Sequence, residues 1–176
     1  MHDHLVLIDG YNVIRRSAQL VQVERRSLQH GRDALVTLLA ARYAARTVDL
    51  TVVFDGAEER ETRTVHMGIS IVYSAAGCTA DDCIVRLVRE AEARGQHVTV
   101  ATDDNGIRAA LGNTFPTTQH QSAQQLNQEL HAPDRYRQKQ FQHRTAIQHI
   151  LAKDAEPPDP HARKSGNSRR APRKRR

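Results

Sequence analysis

Aspartate stands where a carboxylate could act on a ligand at four places in this chain: Asp9, Asp55, Asp81 and one of the adjacent pair Asp103 and Asp104. Three of these places follow short apolar runs, LVLID at 5–9, LTVVFD at 50–55 and VTVATDD at 98–104. The fourth opens a helical pattern in TADDCIVRLV at 79–88. A donor set of oxygen alone, without Cys or His, selects Mg²⁺ or Mn²⁺ over zinc, as one or two ions. Two unit charges about 5 Å apart repel by roughly 3 kcal/mol at an effective dielectric near 20. Four carboxylates sharing a pocket therefore strain an empty fold, and a divalent cation relieves the strain. The chemistry such a site suggests is phosphodiester hydrolysis, in which metal lowers the pKa of an attacking water and holds the leaving oxygen in line. No Ser/His/Asp or Cys/His arrangement, Walker loop or GxGxxG motif competes with it.

The four acids can cooperate only if the fold brings them together. Leu5, Val6, Leu7 and Ile8 do not alternate with polar residues, so they read as a strand buried on both faces. That puts Asp9 at its carboxyl end, the edge where open α/β sheets bind ligands. Residues 49–56 (DLTVVFDG) repeat the pattern and end on Asp55. Residues 97–105 (HVTVATDDN) end on Thr102, Asp103 and Asp104, and a further strand lies in 64–74, centred on Ile69–Tyr73. Gly10 permits a tight turn, and Asn12 offers an amide to whatever Asp9 holds.

A helix is expected over about 27–46, with Leu28, Leu35, Leu38, Leu39 and Tyr43 on one side. Another follows Thr79 as N-cap, with Ile84, Leu87, Val88 and Ala91 as its apolar face. Asp81 precedes Ile84 by three and Val88 by seven, which sets it above that face and toward the sheet rim. Asp82 is explained by capping and the helix dipole alone. Residues 15–26 read as a loop with a short helical piece, 105–111 and 122–131 as short helices, and 114–118 as an edge strand holding Pro116. Strands alternating with helices imply a Rossmann-like, three-layer α/β unit with a mainly parallel sheet. It is expected to span residues 1–132, followed by a polar helix over 133–155 and a disordered basic tail over 156–176.

The charge is uneven. The chain of 176 residues carries a formal +6, yet residues 161–176 hold eight Lys or Arg and no acid, leaving 26 − 8 = 18 basic against 20 acidic residues elsewhere. The α/β part is thus close to neutral and the tail supplies the excess. Cys78 and Cys83 read as reduced thiols of a cytoplasmic protein, and the histidine spacing matches no structural zinc motif. No apolar run approaches the length of a membrane span and no signal peptide is evident.

In order and spacing, LIDGYNVI, VVFDG, TADDCI and VATDD resemble the YacP-like branch of the NYN domains, within the PIN-like nuclease superfamily, over about residues 4–130. The resemblance implies a PIN-like fold and a metal-dependent endoribonuclease that cleaves single-stranded RNA in bacterial RNA turnover, including mRNA at the ribosome. By the same resemblance Asp9 matches the first metal-binding acid, Asn12 the asparagine of the motif, Asp55 the strand-end acid and Asp81 the acid of the TAD motif. The family reads serine then aspartate after VAT. Asp104 is therefore the aligned acid, and Asp103 occupies the serine's place with its role open. Val85 stands where the family often has a further acid.

A nuclease must draw a polyanion to an acidic pocket, so cations should surround the site. Arg15 and Arg16, just after the first motif, are the leading phosphate contacts, with Arg25, Arg26, Arg60 and Arg63 as weaker candidates. Tyr11 could stack on a base or belong to the core. The tail reads as a nucleic-acid or ribosome-binding arm, against a merely solubilising end. Two rival functions are weighed. A non-catalytic RNA-binding module would be free to lose the acids that are retained. A phosphoacceptor regulator needs a second acid after the first strand and a late lysine, which are missing.

Overall fold

The computed structural model describes residues 2–132. The helix expected over 133–155 and the basic tail of 156–176 lie outside the described residues. The elements run β1 (His4–Asp9), α1 (Gly10–Arg15), α2 (Ala18–Glu24), α3 (Leu28–Tyr43), β2 (Asp49–Phe54), β3 (Thr62–His66), β4 (Ile69–Tyr73), α4 (Ala80–Ala93), β5 (His97–Ala101), α5 (Asn105–Thr114), β6 (Gln119–Gln121) and α6 (Ala123–His131).

The strands form one six-stranded sheet in the order β3-β4-β2-β1-β5-β6, parallel throughout except where β3 runs against β4. The expected α/β architecture with a mostly parallel sheet is therefore what the chain adopts. The unbroken apolar runs are buried from both sides. Val6, Ile8, Val52, Phe54 and Ile71 face a core completed by Ile14, Leu35, Leu39 and Leu126. Leu5, Leu7, Val53, Val72, Val98 and Val100 face the other, with Ile84, Leu87, Val88, Ile107 and Leu111.

The order in which successive strands are added across the sheet reverses at β1. The connection through α1, α2 and α3 leads to β2 on one side, while α4 carries the chain back from β4 to β5 on the other. The crevice between the carboxyl ends of β1 and β5 is thus the switch point of the sheet, where open α/β sheets bind ligands.

Two local expectations need correction, and one strand is added to those expected. Residues 15–26 are not mainly loop: Arg15 ends α1, Ser17 caps α2 by accepting from Leu20 N, and α2 runs to Glu24. The strand expected at Ile69–Tyr73 is β4, and a partner the sequence did not reveal, β3, precedes it in a hairpin turned by Met67 and Gly68 at φ 53° and 78°. Two successive positive φ values are what a two-residue hairpin of the right twist requires. The edge strand lies later than 114–118: Thr114 closes α5, Pro116 sits in a turn, and Gln119–Gln121 pair with β5.

Candidate active site at the switch point

Asp9 is the last residue of β1 and the N-cap of α1, and it is only 8 % exposed. One of its carboxylate oxygens accepts from Asn12 N at 3.2 Å, and the other accepts from the Thr102 hydroxyl at 3.0 Å. Burial pushes its pKa up from an ordinary 3.8 to about 6. The two hydrogen bonds oppose that rise, and the charges of Asp81 and Asp55 add to it.

Thr102, 1 % exposed at the end of β5, also accepts from Asp104 N at 3.0 Å, so one hydroxyl sets the spacing between two acids. Asp104 caps α5, its Oδ1 accepting from Gly106 N at 2.7 Å and Ile107 N at 3.1 Å. Asp55, exposed just after β2, accepts from Ala80 N at 2.8 Å and so pins the start of α4. Asp81 lies in the first turn of α4, its pKa raised by partial burial and by the charges of Asp104, Asp55 and Asp82.

Asp9, Asp55, Asp81 and Asp104 line one cavity of about 400 Å³ together with Asn12. Arg15, Arg16 and Tyr11 complete much of its rim. The starts of α1, α4 and α5 all border it, and helix N-termini carry partial positive charge that favours anionic side chains there.

Asp103 is not among the residues lining the cavity. Its Oδ1 accepts from Ala123 N at 3.0 Å, tying α6 to β5, and its Oδ2 pairs with Arg16 Nε at 2.9 Å. Asn12 does not direct its amide oxygen at Asp9; that oxygen accepts from Asp103 N at 3.0 Å and laces α1 to the segment that follows β5. Asp82 forms a capping box with Thr79, whose amide and hydroxyl hold its pKa down, as its position implied. Arg25 and Arg26 are exposed in the turn after α2 and do not line the cavity.

Tyr11 is 8 % exposed, edge-on to Phe54 with ring centroids 5.1 Å apart. It is a wall of the cavity anchored in the core, which leaves little ring surface for an unpaired base. Arg32, which no sequence pattern singled out, holds it in place. The Arg32 guanidinium lies 5.4 Å from the Tyr11 ring centroid, 5.6 Å from that of Phe54 and 5.1 Å from that of Tyr73, and Nε donates to the Tyr11 hydroxyl at 2.9 Å. Thr102 was also passed over, although a hydroxyl directly before paired acids at a strand end is the signal that marks it.

Among the described residues, no group of three or more His, Cys, Asp or Glu side chains is drawn tightly enough to hold an ion as it stands. The donor chemistry nevertheless fits a hard divalent cation. All four cavity acids offer oxygen, and Asp81 and the second oxygens of Asp55 and Asp104 accept no hydrogen bond among the described residues. Burial is the main cause of the raised proton affinity of Asp9 and Asp81; repulsion among the acids adds to it, and a cation would relieve that part.

Comparison with known proteins identifies the family. The family model for the YacP-like NYN domain matches residues 6–158. The uncharacterized protein YacP of Bacillus subtilis (strain 168) is 28% identical over 105 residues, covering 57% of this chain and 60% of that protein, so the match spans less than two thirds of that relative's length. The crystal structure of Rae1 (YacP) from Bacillus subtilis superposes with a TM-score of 0.65 at 23% identity, over 85% of this chain and 88% of the other. A tryptophan-to-leucine variant of it gives a TM-score of 0.59 at 23% identity, over 88% and 85%. At that identity the two structures bear on the fold alone. The match across most of the chain, and the fold it shares, mean that this chain belongs to the YacP-like NYN domain family, within the PIN-like nuclease superfamily.

Proposed function

We propose that this chain is a Mg²⁺- or Mn²⁺-dependent endoribonuclease that cleaves single-stranded RNA. The observation that carries the reading is the convergence of Asp9, Asp55, Asp81 and Asp104 on one cavity at the switch point of the sheet. Asp9, Asp81 and Asp104 would hold the metal, with Asp55 and Asn12 beside them; Asp103 serves better as the anchor of Arg16 than as a ligand. When bound, the metal supplies an activated water and charge neutralisation at the phosphate, leaving 5′-phosphate and 3′-hydroxyl ends. The chain's own groups do the rest. Thr102 fixes the orientation of the Asp9 carboxylate, Asn12 fixes the β1–β5 crevice, and Arg15 and Arg16 meet phosphate at the rim.

The family resemblance supports mRNA as the substrate, met at the ribosome in the cytoplasm, with the basic segment as a ribosome- or RNA-binding arm. On this reading residues 1–132 are the nuclease unit, with 133–155 and 156–176 as appendages to it.

The test is cleavage of a labelled single-stranded RNA with Mg²⁺ or Mn²⁺, with and without EDTA. Asp9→Asn and Asp104→Asn are each expected to lower the rate by at least about 100-fold. Asn at 104 can still accept from Gly106 N and Ile107 N, so its loss of activity reports charge and not fold. Asp103→Asn is expected to cost only about 3- to 10-fold, through release of Arg16. Full activity of Asp9→Asn at saturating Mg²⁺ sinks the assignment. RNA binding without cation-dependent cleavage points instead to a non-catalytic RNA-binding module.

A further inference from the structure

Cations are needed on more than one side of an acidic cavity that receives a polyanion, and Arg15 and Arg16 flank only the α1 side. A second hollow, of about 390 Å³, runs from the cavity between α4 and α5. The two meet at Asp81, which lines both. One wall of the groove is a stripe of α4, with Asp82 at its start followed by Val85, Arg86 and Arg89; the other is Gly106, Ile107 and Ala110 of α5.

The two arginines differ in availability. Arg86 is committed, pairing with Glu61 and with Glu90 at 2.6 Å. Arg89 is exposed, and no carboxylate pairs with it among the described residues. An aliphatic floor with one uncommitted guanidinium above it is suited to a nucleotide, the base or ribose lying on Val85 and Ala110 and the phosphate meeting Arg89. Gly106, which has no side chain, and Ala110, which has only a methyl, leave the space open.

We infer that the α4/α5 groove is a substrate subsite, holding a nucleotide of the RNA strand next to the phosphate in the acidic cavity, with Arg89 as its phosphate contact. The inference rests on the RNA-cleaving reading above, and it places the strand across the acids from Arg15 and Arg16 to Arg89.

It is tested by binding, separately from cleavage. In a full-length Asp9→Asn background that does not consume the probe, the affinity for a single-stranded RNA of about 12 nucleotides is measured by fluorescence anisotropy over a salt series. Arg89→Ala is expected to weaken binding by about 3- to 10-fold and to lower the slope of log K against log salt by about 0.7, the loss of one phosphate contact on a single strand. Ala110→Glu, on the opposite wall, is expected to weaken binding at least as much. Arg94→Ala removes the same charge from the far end of α4, where its partner is Gln96, and is expected to stay within about 2-fold. The inference is overturned if Arg89→Ala and Arg94→Ala behave alike, if Ala110→Glu is silent, or if no variant binds RNA. Cation-dependent cleavage by the wild type with a silent Arg89→Ala removes the groove alone. The expected affinities without any cleavage remove the hydrolytic reading and keep the groove.

Discussion

At the scale of the residue, burial makes the charged form of Asp9 costly to the fold. Its folded pKa of about 6 lies above an ordinary 3.8, so the folded chain binds the proton more tightly than the unfolded one. The contribution of this group to stability is therefore fully present below about pH 4 and is lost as pH rises through about 6. The difference corresponds to at most about 3 kcal/mol, reduced by water entering the cavity. Asn at this position keeps an oxygen for Asn12 N and carries no charge. Asp9→Asn is thus expected to raise the melting temperature of the metal-free protein at pH 7 to 8, by an amount that shrinks to nothing toward pH 4. Thermal melts across that range, followed by calorimetry or circular dichroism, check it. Mg²⁺ or Mn²⁺ is expected to stabilise the wild type and to do so less for Asp9→Asn; an equal response of the two would separate Asp9 from cation binding.

At the scale of the element, the entry into α1 depends on a close approach between two strand ends. A Cβ on Gly10 would sit 2.2 Å from Phe54 Cε1 and 2.5 Å from Cδ1. The Phe54 ring is fully buried between Tyr11 and Tyr73 and has little room to yield. Gly10→Ala is expected to destabilise the chain by about 2–3 kcal/mol and to displace Tyr11 from the cavity wall. Gly112→Ala, on an exposed face of α5 with nothing within 4 Å of the added atom, is expected to stabilise by about 0.5–1 kcal/mol. Denaturant unfolding of the two variants gives opposite signs if packing is the cause. The contrast also marks what sequence can reveal. Strands β1, β2 and β5 were legible because burial on both faces writes continuous apolar runs, and the acids stood at their ends. Helix α2 buries only Leu20, so it leaves no period. Strand β6 is three polar residues joined to β5 through backbone, and the β3–β4 turn uses Met67 at positive φ, for which no composition signal exists. Arg32 and Thr102 were missed because their partners, Tyr11 and Asp9, lie 21 and 93 residues away in the chain.

At the scale of the whole molecule, the acids that would do the chemistry and the cations that would gather the substrate lie in separate parts of the chain. Every residue lining the acidic cavity falls between Asp9 and Asp104, whereas eight of the 26 Lys and Arg fall in residues 161–176. Removing that segment changes the formal charge from +6 to 6 − 8 = −2, so a weak attractor of polyanions becomes a weak repeller. The Debye length is about 8 Å at physiological salt, so most of this effect acts only where the segment itself meets phosphate. Each such contact on a single strand contributes about 0.7 to the salt slope, which gives a ceiling of roughly 6 for eight cations. Deletion of residues 161–176 is therefore expected to weaken RNA binding by at least about 10-fold at low salt and to cut the slope by several units. The loss should fall on KM far more than on kcat, since no residue of the cavity is touched. Anisotropy titrations and steady-state cleavage over one salt series measure both. An unchanged salt slope would identify the segment as solubilising, and an equal fall in kcat would mean that it takes part in the step the acids carry out.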